Sequence, residues 1–278
     1  MNSKSGVLSG KKGIVIGVAN ERSIAWGIAK EAFSNGADIA FSYQGKAIEK
    51  RLRPLAQSLE STIIEECDVT IPSSIDSFFS KVSNEWGKID FMIHAVAYSD
   101  KEALKGRYID TTKDNFLRTM EISCFSFTDL CNKAVNIMPD GGSLLTLSYY
   151  GAERVMPHYN VMGVAKAALE SSVKYLATDL GRKNIRVNAL SAGPMKTLAA
   201  SGINNFRFIM KWNELNSPLQ KNVTQEDVGK SGVYLISDLS SGVTGEIHHV
   251  DCGYNTVGML EPSSAHEISD LLKKVDFD

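Results

Sequence analysis

The feature that most constrains this chain is an alternation of strand and helix that begins at Lys12. Lys12 to Gly17 (KGIVIG) is a β-branched run closing on glycine, the pattern of a short buried strand. After a turn through Val18–Arg22, Ser23-Ile24-Ala25 opens an amphipathic helix to about Ser34. Gly36 ends that helix, and Ala37 to Tyr43 (ADIAFSY) is a second strand. Strand, glycine-bearing turn, helix and strand within so short a span form a βαβ unit. Such a unit is right-handed and commits its strands to a parallel sheet.

The alternation continues to the far end of the chain. Helices are predicted over 47–59, 71–86, 114–138 and 224–236, the last N-capped by Thr224, and another opens at Pro157. Strands are predicted over 62–67, 89–96, 144–148, 186–191 and 246–250. No repeat, linker or low-complexity block interrupts the pattern. The expected fold is therefore α/β: one domain over 1–258, a Rossmann-type doubly wound parallel sheet of about seven strands with helices on both faces. Residues 259–278 read as a polar tail with one weak amphipathic turn around 268–275.

Composition narrows the function. At 278 residues and 43% hydrophobic content the chain has enough apolar material for one large core. A formal net charge of −2 supplies no basic footprint, so neither nucleic acid nor an anionic membrane is an expected partner. No uncharged apolar run approaches the ~20 residues that cross a bilayer. The first residues, MNSKSGVLSGKKG, lack the apolar core of a secretory signal, so a cytoplasmic location is expected. Cys67, Cys124, Cys131 and Cys252 show no CxxC pair and no metal spacing, which reads as reduced, mostly buried thiols and no metal site. Cys124 and Cys131, seven apart, fall on one helical face.

Ligands of doubly wound sheets bind outside the carboxyl ends of the strands. The first turn places a helix N-terminus where a pyrophosphate is held, although the glycines here (Gly13, Gly17, Gly27) do not form GxGxxG. Gly17 is the best candidate for close backbone approach to a ligand, while Gly13 and Gly27 fit close packing equally well. Gln44, just past the second strand, occupies the position that meets the adenosine ribose; it brings no cation for a 2′-phosphate, which leans towards NADH, though Lys46 and Arg51 lie near. Asp68, Val69 and Val96 end the third and fourth strands and are candidates to flank an adenine and a ribose. His94 fits a packed strand residue better than a base.

The stretch LLTLSYYGAERVMPHYNVMGVAK, Leu144–Lys166, carries the candidate chemistry. Tyr159 and Lys166 are seven residues apart, nearly two helical turns, so a phenol and an ammonium share a helix face, and Tyr149 at the preceding strand end points to the same space. A neighbouring cation favours the ionised or the hydrogen-bond-donating phenol, as an acid or oxyanion stabiliser requires. Taken alone, the pair fits a half-buried aromatic and a solvated charge better; its place in an α/β chain raises the catalytic reading. Residues 198–215 are rich in Phe, Met and Trp and read either as an apolar lid over a greasy substrate or as a core-packing helix.

These motifs carry a resemblance. Gly17 with Ser23-Ile24-Ala25, LLTLSYYGAERVMPHYNVMGVAKAALE, RVNALSAGP with KTLAASGI, and SGVTGEIHHVDCGY resemble the short-chain dehydrogenase/reductase superfamily, and within it the bacterial-type enoyl-acyl carrier protein reductases, over about Val7–Gly253. Commoner members carry Tyr-x-x-x-Lys, but Gly163 stands four residues after Tyr159, and the six-residue gap to Lys166 with Tyr149 upstream is the enoyl reductase arrangement. The resemblance implies catalytic Tyr149, Tyr159 and Lys166. It implies an NADH site formed by Gly17, Ser23, Ile24, Gln44, Asp68, Val69, Val96, Lys166 and Met195, Lys196, Thr197, Leu198 and Ala199, in which Lys166 holds the nicotinamide ribose. It implies a substrate wall of Ala97, Tyr98, Ser99, Tyr149 and Tyr159, an acyl carrier protein bearing the substrate, and a homotetramer. Ile16 and Ala97 depart from residues common in the family, and the added methyl of Ala97 is expected to weaken binding of flat aromatic inhibitors. Two other readings stand beside this one: a reductase of 3-oxoacyl thioesters on the same fold, against which the Tyr159/Lys166 spacing speaks, and a dinucleotide-binding regulator without turnover.

Overall fold

In the computed structural model, residues 5–198, 200, 205–259, 266, 267 and 269 are described. Seven strands form one sheet: β1 (Lys12–Ile16), β2 (Asp38–Tyr43), β3 (Ile64–Glu66), β4 (Phe91–His94), β5 (Gly142–Ser148), β6 (Ile185–Ala192) and β7 (Ile247–Val250). Every pairing is parallel and the spatial order is β3-β2-β1-β4-β5-β6-β7. The chain builds outwards from β1 to β3, then crosses back to lay β4 on the other side of β1. The order therefore reverses between β1 and β4, where doubly wound sheets open a crevice.

Alternate side chains of each strand supply two separate cores. Val15, Phe41, Ile93, Leu145 and Leu190 pack on one face under α1 (Ile24–Ser34), α2 (Gly45–Ser58) and α8 (Gln225–Ile236). Ile14, Ile16, Met92, Leu144 and Val187 pack on the other under α3 (Pro72–Trp86), α5 (Ser126–Ala134) and α6 (Asn160–Leu180). Thr224 caps α8 through a reciprocal box with Asp227. Gly27 and Gly13 serve packing: a Cβ on Gly27 would lie 2.4 Å from Gln225 of α8, and one on Gly13 would enter the Phe91 ring.

Three boundaries differ from the sequence reading. The helix expected over 114–138 is α4 (Lys113–Met120), a π-helical turn (Glu121–Phe125), α5 and a 3₁₀ turn (Val135–Ile137), so one extra residue is wound in at Glu121–Phe125. Cys124 and Cys131 still face the same core. The helix expected from Pro157 begins only at Asn160, because His158 (φ +60°) and Asn160 (φ +41°) are left-handed and bracket Tyr159. Most of the aromatic segment over 198–215 is a helix, α7 (Phe206–Asn216), with Phe208 stacked on Trp212; Ala199 and residues 201–204 lie outside the described residues.

Candidate active site

The crevice at the β1/β4 reversal is a cleft of two joined cavities that share Ala95, Val96, Ala97 and Tyr98. The outer cavity, about 450 Å³, lies over the ends of β1, β2 and β3 and is lined by Gly17, Gln44, Asp68, Val69 and Val96. The inner cavity, about 580 Å³, lies over the ends of β4, β5 and β6. Ile24, Ser99, Tyr149, Tyr159, Lys166, Met195, Thr197 and Leu198 line it. The predicted residues are thus brought together along one edge, with three exceptions. Ser23 and Lys196 line neither cavity, and Ala199 lies outside the described residues.

Ser23 acts behind the turn. Its Oγ accepts hydrogen bonds from the Ala19 (3.0 Å) and Asn20 (3.2 Å) amides, folding the β1–α1 turn back on the start of α1. Gln225 of α8 holds the same turn by donating from Nε2 to the Ser23 carbonyl (2.7 Å) and the Glu21 carbonyl (3.0 Å). Gly17 is required twice over. Its φ is +104°, and a Cβ would stand 2.3 Å from the Ala95 carbonyl oxygen. The glycine lets the turn close against β4, which is what leaves the outer cavity continuous with the inner one.

In the inner cavity, Lys166 reaches from α6 to the end of β5, donating from Nζ to the Leu147 carbonyl at 2.8 Å. Its residue exposure is 6%, and burial pulls the ammonium down to about 8, partly opposed by Cys124 and Glu170. Tyr159 stands edge-on to Tyr149 with ring centroids 5.1 Å apart. Burial, reinforced by Tyr149 and Glu170, raises the Tyr159 phenol far above its ordinary range; burial and Tyr254 do the same to Tyr149. Of the two phenol forms that the sequence left open, desolvation therefore selects the protonated donor over the phenolate. Neither hydroxyl has a hydrogen-bond partner among the described residues, and no unpartnered side-chain polar atom there is sealed away from solvent. The Tyr159 hydroxyl is a free donor at the wall of an apolar cavity.

Local backbone fixes that donor. Asn160, in its left-handed conformation, donates from Nδ2 to the carbonyls of Ala103 (3.1 Å) and Gly106 (3.3 Å), tying the start of α6 to the loop across the cleft. Gly151 and Gly163 meet behind Tyr159: a Cβ on Gly163 would lie 2.8 Å from the Gly151 carbonyl, and one on Gly151 would lie 2.4 Å from the Tyr159 ring. No side chain, lysine included, fits at 163, so the cation stands one turn further on, at Lys166.

Several contributors were not singled out in the sequence. Ser123, in the π turn, accepts from the Tyr98 amide (2.9 Å) and donates to the Tyr98 carbonyl (3.1 Å), fixing one wall of the cleft. The Arg118 guanidinium lies 4.7 Å from the centroid of the Tyr98 ring and lines the outer cavity. Glu170 is buried one turn beyond Lys166 and accepts from Ser148 Oγ; its i+4 spacing from Lys166 was the available clue. His94 is bonded to Thr146 (2.8 Å) and Ser126 (2.9 Å), and burial pushes it down to about 3, so it is a neutral packed residue. Among the described residues, no cluster of His, Cys, Asp or Glu is arranged to hold a metal, and no helix is long and apolar enough to cross a membrane.

Comparison with known proteins agrees with this geometry. Residues 17–255 match the family model described as enoyl-(acyl carrier protein) reductase. The chain is 62% identical to the Rhizobium meliloti protein named enoyl-[acyl-carrier-protein] reductase [NADH] 1, over 93% of this chain and 95% of that one. The solved Anaplasma phagocytophilum enoyl-acyl carrier protein reductase in complex with NAD superposes with a TM-score of 0.90 at 57% identity, covering 92% of this chain and 98% of that one. The corresponding Candidatus Liberibacter asiaticus structure gives 0.91 at 53%, covering 92% and 100%. With the family model spanning most of its length, the chain belongs to the enoyl-acyl carrier protein reductases.

Proposed function

We infer that this chain reduces the trans-2 double bond of enoyl thioesters with NADH, the last step of the fatty acid elongation cycle. The observation that carries the reading is a free, protonated phenol, Tyr159, lining the same cavity as a buried cation, Lys166, at the open edge of the sheet. The cleft suits a dinucleotide: it is long enough for two cavities, polar at Gln44 and Asp68, apolar at the inner end, and floored by a glycine turn at the N-terminus of α1. Gly17, Gln44, Asp68, Val69 and Val96 are assigned to its adenosine half. Ile24, Lys166, Met195, Thr197 and Leu198, with Lys196 and Ala199 beside them, are assigned to the nicotinamide half. When bound, NADH supplies the hydride that adds to C3.

The chain's own residues do the rest. Tyr159 donates a hydrogen bond to the thioester carbonyl oxygen, where negative charge collects as C3 is reduced; a preorganised donor of this kind contributes ~3–4 kcal/mol to the barrier. It stays a donor across the working range because burial suppresses its ionisation. Lys166, fixed by the Leu147 carbonyl, has its remaining N–H groups for the cofactor ribose, a positional role. Tyr149 backs the Tyr159 ring, and Ala97, Tyr98 and Ser99 border the acyl thioester. Residues 1–258 act as one reductase domain with 195–215 as its lid, followed by the tail at 259–278. An acyl carrier protein presents the substrate, and the active form is a cytoplasmic homotetramer, an assembly that sedimentation tests. The direct test of the activity is NADH oxidation with crotonyl thioester against acetoacetyl thioester. Turnover of the first and not the second supports an enoyl reductase; the reverse supports the 3-oxoacyl alternative.

A further inference from the structure

We propose that Glu66 is the residue that sets this groove against a 2′-phosphorylated dinucleotide, and so makes the enzyme selective for NADH over NADPH. The proposal rests on the reading of the outer cavity as the adenosine site. The parallel ladder pairs Tyr43 with Glu66, so the last residue of β3 stands directly beside the end of β2, where Gln44 enters the cavity. Glu66 Oε1 accepts the Gly45 amide at 3.1 Å. That amide is the first N–H of α2, a helix of 14 residues, and it follows the residue that meets the adenosine ribose. An incoming 2′-phosphate at Gln44 needs such a donor, because a helix N-terminus offers both free N–H groups and the positive end of the dipole. Here a carboxylate already holds it.

The other side of Gln44 is occupied in the same sense. Gln44 donates from Nε2 to Asp68 Oδ2 at 2.9 Å, and Asp68 Oδ1 is held by the amide and hydroxyl of Thr70 (2.9 and 2.7 Å). A ribose hydroxyl exchanges hydrogen bonds with these groups at no charge cost. A phosphate dianion at Gln44 meets the Asp68 carboxylate and, to reach the Gly45 amide, must displace Glu66, which stands behind the groove and does not line it. Of the nearby cations, Arg118 lines the outer cavity but lies over the Tyr98 ring, while Lys46 sits beyond Gly45 on α2 and lines neither cavity. Glu65 carries the same charge one residue earlier, pairs with Ser42, and alternates to the opposite face of the sheet, which makes it an internal control.

The experiment measures dissociation constants of NADH and NADPH by fluorescence titration of the full-length protein and three variants. Glu66→Ala, which frees the amide and removes the charge, is expected to raise relative NADPH affinity about tenfold, the scale of one dianion–carboxylate repulsion near a surface. Glu66→Gln removes the charge but keeps an acceptor for Gly45, and is expected to give a smaller rise in the same direction. Glu65→Gln is expected to leave the ratio within about twofold, and NADH affinity is expected to hold in all three. A purely structural role for Glu66 changes both dinucleotides alike and leaves the ratio where it was. An unchanged ratio in Glu66→Ala, or an equal rise in Glu65→Gln, overturns the proposal while leaving the groove assignment standing. A wild-type protein that binds no NADH overturns the groove assignment, and the proposal with it.

Discussion

The two ends of the cleft use charge in opposite ways. At the outer end, Gln44, Glu66 and Asp68 stand at or near the surface, Gln44 bonded to Asp68 and Glu66 to the first amide of α2, and water screens them. At the inner end, Lys166 is buried and Tyr159 half-buried, and desolvation is the largest influence on both. The outer end selects by hydrogen-bond complementarity, at a cost of about 1 kcal/mol per group. The inner end sets the protonation state of the reacting groups, where far larger effects are available. On the proposed function, recognition and chemistry are divided between the two sides of the β1/β4 reversal.

The sharpest way to break this contrast is at Tyr159. Tyr159→Phe is expected to lower kcat by about 10²–10³ while leaving the NADH dissociation constant unchanged, since the lost hydroxyl acts only on the developing charge. Steady-state kinetics beside a binding titration separates the two. Lys166→Met is expected to weaken NADH binding by about 10–100-fold, the scale of a buried charge-assisted hydrogen bond.

Lys166→Met also tests the burial argument through pH. The folded-state ammonium titrates near about 8 against an ordinary 10.5, so burying the charge costs stability at low pH. Below about 8 both folded and unfolded chains hold the proton and the whole cost is present. Between about 8 and 10.5 the unfolded chain holds more protons than the folded one, so stability rises with pH. The wild type is therefore expected to gain on Lys166→Met by up to about 3 kcal/mol over that window, read from denaturant unfolding at a series of pH values. A flat difference contradicts the burial of the charge.

Smaller effects probe the scaffold behind Tyr159. Gly163→Ala places a methyl 2.8 Å from the Gly151 carbonyl and is expected to destabilise by about 1–3 kcal/mol, with a lowered Tm and impaired turnover. Asn160→Ala loses two hydrogen bonds to the facing loop and puts a residue less tolerant of φ +41° beside the phenol. A loss of about 1 kcal/mol is expected, with kcat affected more than NADH affinity.

Much of this was legible in the sequence because periodicity is local. The KGIVIG and ADIAFSY runs fixed the first βαβ unit, and the strand-end rule then gathered Gly17, Gln44, Asp68 and Val96 at one edge, where the structure has them. The spacing of Tyr159 and Lys166 placed both on one cavity, as the structure has them, but in the wrong local frame. A seven-residue interval assumes one continuous helix, and the left-handed His158 and Asn160 put Tyr159 at its cap instead. What could not be read is what depends on contacts between distant segments. The π turn that brings Ser123 to Tyr98, the Gly151–Gly163 approach that excludes a lysine at 163, and the Ser23 hydroxyl turned inwards to its own loop all arise from packing. So does the charge state of the phenol: a neighbouring cation predicts an easier ionisation, whereas burial, Tyr149 and Glu170 all act on Tyr159 in the opposite sense.

The central claim is that a protonated Tyr159 hydroxyl stabilises charge on an enoyl thioester as NADH reduces it. It is tested most directly by following NADH absorbance in the near ultraviolet with crotonyl thioester, wild type against Tyr159→Phe at saturating cofactor. The account predicts steady NADH loss in the wild type and a rate lower by about 10²–10³ in the variant at equal NADH occupancy. Equal rates in the two proteins, or no NADH consumption by the wild type, would contradict it.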